Sequence, residues 1–95
     1  MSANLPVAFD LVAERRFARA QAARFIGRHA AALSAGYSIH VSTTGRIHVQ
    51  GEAGSLQALA ARWDGSRVEP SESGEWGEWV CELEGVTVVL TEEQP

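Results

Sequence analysis

WGEWVCELEGVTVVLT, residues 76–91, decides the fold. At its centre, Glu84-Gly85 suits a two-residue hairpin turn, whose backbone must enter the positive-φ region. A turn there pairs Leu83 with Val86, Cys81 with Val88 and Trp79 with Leu90, all apolar and all on one face. Glu82 with Thr87, Val80 with Val89, and Glu78 with Thr91 fall on the other. Two strands are therefore expected, Trp76 to Leu83 and Val86 to Thr91, with one face in a core.

A second hairpin lies upstream. Tyr37, Ile39 and Val41 alternate with Ser38, His40 and Ser42, and Ile47 and Val49 alternate with Arg46, His48 and Gln50. A two-residue Thr44-Gly45 turn would oppose Val41 to His48 and mix the faces. A three-residue loop, Thr43-Thr44-Gly45 with Gly45 left-handed, pairs Ser42 with Arg46 instead. Val41 then faces Ile47, Ile39 faces Val49, and His40 faces His48. Only that register keeps one side apolar.

Between the hairpins, Ser55 to Trp63 reads as a short helix with Leu56, Leu59, Ala60 and Trp63 in one stripe and Gly65 closing it. A weaker strand, Ser66 to Glu69, stops at Pro70, and Ser71 to Glu75 reads as loop. Ahead of everything, Pro6 to Ala35 reads as one long helix. Pro6 sits in its first turn, Asp10 lies near its positive end, and Gly36 is a left-handed stop. Its apolar residues occupy three sectors: Phe9, Ala13, Phe17, Ala20, Gly27 and Ala31; Leu11, Ala18, Ala22, Phe25 and Leu33; and Val12, Ala23, Ile26 and Ala30. One sheet needs only one such stripe.

The expected architecture is thus α+β, in the order α-β-β-α-β-β-β. It is a two-layer α/β sandwich with a mostly antiparallel five-stranded sheet, one parallel pairing and both helices on one face. The chain, residues 1–95, forms a single domain, with 1–4 and 92–95 frayed. The open face would present Ser38, His40, Ser42, Arg46, His48, Gln50, Glu78, Glu82, Thr87 and Thr91.

Charge divides unevenly. Residues 1–50 hold six arginines against Asp10 and Glu14, a surplus of +4; residues 51–95 hold two arginines against ten acids, a balance of −8. Lysine is absent, which excludes lysine-based covalent catalysis. Arginine used alone beside abundant alanine suits a GC-rich bacterial genome and implies nothing about function. A single cysteine excludes an internal disulfide, no stretch is long and apolar enough to span a membrane, and no secretory leader is visible. A cytoplasmic protein is expected.

No phosphate loop, dinucleotide fingerprint, zinc-protease motif, nucleophile elbow or EF-hand loop occurs. Neither catalytic residues nor a cofactor are expected, and Cys81 on the apolar strand face reads as an inert buried thiol. Three constellations remain. His40 opposite His48 places two imidazoles within reach of one metal ion, with Glu82 or His29 as the nearest third ligands. Two solvated histidines are the commoner arrangement. Arg15, Arg16 and Arg19 share one sector of the first helix and suit phosphate contacts, but Arg24 and Arg28 lie nearly opposite. The small residues Ala20, Ala23, Gly27, Ala30 and Ala31, with Val80 and Val89 on the sheet's open face, form a surface for self-association. The reading favoured is a non-enzymatic protein-interaction or accessory module acting as a homo-oligomer, most simply a homodimer. The alternative is a nucleic-acid-associated regulator that uses the helix arginines.

Overall fold

A computed structural model describes residues 5–68 and 76–93. Expectations placed on Met1 to Asn4, on Glu69 to Glu75, on Gln94 and Pro95, and on the side chains of Phe9 and Asp10 lie outside what is described. In chain order the elements are α1 (Leu5–Arg28), α2 (Ala30–Leu33), β1 (Ser38–Val41), β2 (Ile47–Gly51), α3 (Gln57–Arg62), β3 (Ser66–Val68), β4 (Trp76–Leu83) and β5 (Val86–Glu93).

The five strands form one sheet in the order β1-β2-β5-β4-β3. Only β2 and β5 run parallel; the other neighbours are antiparallel. Both hairpins adopt the register that their alternation predicts. Ser42 N–H donates to the Arg46 carbonyl at 2.9 Å, Gly45 has φ +81°, and His40 stands opposite His48. In the second hairpin Cys81 pairs with Val88 and Trp79 with Leu90. Glu84 (φ +52°) and Gly85 (φ +77°) make the turn.

Helix and strand residues share one core. Phe25 and Leu33 from the first two helices and Leu56, Leu59 and Trp63 from the α3 region cluster with Val49, Cys81, Val88 and Leu90. The helices therefore cover one face of the sheet, and Phe25 meets Trp63 edge-on with ring centroids 5.6 Å apart. The α3 stripe is buried as its spacing predicts. Its end is a Schellman motif: Gly65 N–H donates to the Ala60 carbonyl at 2.7 Å and Asp64 N–H to Ala61 at 3.3 Å. Asp64, at φ +49°, takes the left-handed position that ends the helix, and Gly65 follows it.

Four further expectations are corrected. The single helix from Pro6 to Ala35 is interrupted at His29 (φ −114°, ψ 22°), whose ring stacks on Phe25; Ala30–Leu33 is a separate turn that buries Leu33. Gly36 is not left-handed; instead a Cβ there would lie 2.5 Å from Val49 Cγ1, so glycine is needed for close approach to β2. Ile39 is 42% exposed despite its apolar phase, because β1 is the terminal strand and only an open depression separates Ile39 from the helices. Finally, the chain does not fray at Glu92. Strand β5 continues to Glu93, with Glu92 only 1% exposed.

Candidate interaction surface

A helix of 24 residues is about 36 Å long, whereas the longest strands here, of eight residues, span about 27 Å. Helix α1 therefore outruns the sheet. Ala22 and Phe25 are fully buried on it. Towards the N-terminus the same helix exposes Leu11, Val12 and Phe17, the last to 62%. Of the three apolar sectors, the one carrying Ala18, Ala22 and Phe25 is turned to the sheet, which leaves Phe17 outside.

A second apolar strip follows the flank of α1 that faces β1. Arg16, Arg19, Ala20, Ala23, Ile26 and Val41 line one open depression. Ile26, Ala30, Leu33, Tyr37 and Ile39 are among the residues lining the next. Of the small residues singled out from sequence, Ala20, Ala23, Gly27, Ala30 and Ala31 are all exposed. Val80 is half-buried, and Val89 is only 4% exposed although it lies on the helix-free face. His48 and Val80 are its direct neighbours on either side, so Val89 has little surface to offer a second molecule.

Charge along this strip runs from one sign to the other. Arg16 and Arg19 stand beside Val41. At the other end of β1, the Tyr37 hydroxyl donates to Glu93 Oε1 at 3.4 Å. Desolvation, with the nearby carboxylates of Glu93 and Glu52, pushes the Tyr37 phenol above its ordinary value. Arg15 lies with Leu11, Glu14 and Thr44 around the sheet's end. Arg28 is on the opposite flank, where its Nη2 reaches Glu84 Oε1 at 2.5 Å. The five helix arginines thus do not form one cationic face.

His40 and His48 are opposed on the open face with ring centroids 6.2 Å apart. Neither expected third ligand joins them. Glu82 is on β4, two strands from β2, and accepts from the Thr87 hydroxyl at 3.0 Å. His29 lies at the end of α1, its Nε2 2.6 Å from Glu84 Oε2. Among the described residues no three His, Cys, Asp or Glu side chains come together as a metal site. Cys81 is buried, and desolvation raises its thiol pKa, which disfavours the reactive thiolate.

Two clusters join residues far apart in sequence. Glu84, at the tip of the β4–β5 hairpin, binds both Arg28 and His29. The hydrogen bond from His29 is the main cause of a carboxyl pKa below the ordinary value, with Arg28 adding to it. Glu92 points from β5 into the core, where it accepts from the Leu56 backbone N–H at 2.9 Å and from Gln57 Nε2 at 3.0 Å. It thereby satisfies a backbone donor at the start of α3 that would otherwise be buried without a partner. One signal pointed to it: the alternation Val86, Val88, Leu90 places Glu92 next on the core side.

The chain matches no protein-family model, no curated protein and no solved structure. Among the described residues no helix is long and apolar enough to cross a membrane.

Proposed function

We propose that this chain is a non-enzymatic, cytoplasmic protein-interaction module that acts as a homo-oligomer. The observation carrying this reading is the exposure of Leu11, Val12 and Phe17 together on the half of α1 that outruns the sheet. Large apolar side chains exposed around one projecting segment cost hydration free energy that docked surfaces recover. The apolar strip between α1 and β1 adds to the area available. Light scattering of the purified chain across the micromolar range tests the reading. A dimer or higher assembly is expected, and a monomer at every concentration refutes it.

A second reading rests on Arg16 and Arg19, exposed side by side at one depression. As a nucleic-acid-associated protein, the chain would use them, with Arg15, to neutralise phosphates. Binding would then weaken steeply with salt. A gel shift at low salt with mixed DNA and RNA decides it, since phosphate contacts are strongest there; no shift ends this alternative.

A further inference from the structure

Strand β1 ends the sheet, and among the described residues no strand pairs with its outer edge. The Ser42 N–H bond to Arg46 sets the phase of the ladder. The alternation of an antiparallel pair then directs the N–H and C=O groups of Ile39 and Val41 away from β2. Those are the groups an added strand would pair with. No proline or full charge occupies Ser38–Val41 to discourage this, and Ile39 adds an exposed apolar side chain. The opposite edge differs: β3 has three residues and carries Arg67, whose guanidinium lies 5.8 Å from the centre of the Trp79 ring.

The charges at the two ends of β1 select the occupant. Arg16 and Arg19 stand at the Val41 end, and Glu52 and Glu93 at the Tyr37 end. Pairing this edge antiparallel with itself lays the Val41 end of one copy along the Tyr37 end of the other. The arginine-bearing end of each copy then lies along the acidic end of the other, with Glu52 at the end of β2 the nearer of the two carboxylates, and twofold symmetry makes the contact twice. A parallel pairing would set arginine against arginine. Alanines at positions 23 and 30, on the same flank, let a second helix approach closely.

We propose that a second copy of this chain docks on the β1 edge, β1 antiparallel to β1, joining two five-stranded sheets into one of ten strands with the two α1 helices side by side. This rests on the homo-oligomer reading above and adds the surface and the symmetry.

The test is analytical ultracentrifugation of the full-length chain and three variants, with circular dichroism to confirm folding. Ile39→Lys, at an exposed position, is expected to weaken dimerisation by about tenfold or more through a charge placed on the new pairing edge. Arg16→Glu with Arg19→Glu in one chain, and Glu52→Arg in another, are each expected to dimerise more weakly alone and to recover as a heterodimer when mixed. If wild type dimerises and Ile39→Lys dimerises equally well, this interface is wrong while the homo-oligomer reading stands. If mixing the two charge-reversed chains restores nothing, the antiparallel twofold is wrong. A wild-type chain that is monomeric throughout overturns both readings.

Discussion

Phe25 and Phe17 are eight residues apart on one helix, yet the first is fully buried and the second is 62% exposed. The difference is not in their chemistry but in what lies beneath them. Phe25 belongs to the half of α1 that rests on the sheet and meets Trp63; Phe17 belongs to the half that extends past it and is turned aside. One half of the helix is held by the fold, and the other is presented by it. A single helix is therefore packed along one half and exposed along the other, and substitutions should separate the two.

The largest effect is expected at the buried half. Phe25→Ala removes a fully enclosed ring and should destabilise the protein by about 3–5 kcal/mol, measured by urea denaturation. The next lies where α1 last touches the sheet. Gly45 has φ +81°, and a Cβ there would come within 2.6 Å of the Ala18 carbonyl oxygen. Gly45→Ala should cost about 1–3 kcal/mol, because backbone strain and helix displacement act together.

Smaller is the contribution of the clamp at the other end of the packed half. The Glu84 carboxyl pKa is lowered in the fold from 4.5 by His29 and Arg28. Its stabilisation is therefore present above about pH 4.5 and is lost as the pH falls through the lower folded value. Wild type and Glu84→Gln should differ in Tm near neutrality and converge in acid; a difference that persists unchanged below that range would show that the charge is not responsible. Smallest of all for the fold is Phe17→Ser, which should shift monomer stability by no more than about 0.5 kcal/mol. It should nevertheless reduce self-association in light scattering. Were Phe17→Ser to unfold the protein, the contrast between the two halves would fail.

Much of the sheet was readable from sequence because its determinants are local. Glu84-Gly85 and Thr43-Thr44-Gly45 set the turns, and alternation then set the pairs of both hairpins as far as Glu78 with Thr91. What escaped depends on contacts distant in the chain. Three apolar sectors on α1 do not say which one the sheet takes; that choice is made by Phe25 against Trp63, 38 positions away. Ile39 has the phase of a core residue, but terminal position in the sheet leaves it exposed. The Glu84 cluster spans more than fifty residues. Glu92 was missed for another reason: a run of acids near the end of the sequence reads as a solvated tail, although its strand phase points inward. The surface proposed for self-association was half visible. The alanines of α1 and α2 are exposed as expected, whereas Val89 is covered by its neighbours on the sheet.

The strand order has a consequence for biogenesis. β5 follows every other element in the chain but lies between β2 and β4. Until residues 86–93 leave the ribosome, the β1–β2 hairpin and the β3–β4 pair have no strand between them. Synthesis therefore delivers two fragments of sheet with exposed flanks, and the core closes in one late step dominated by non-local pairing.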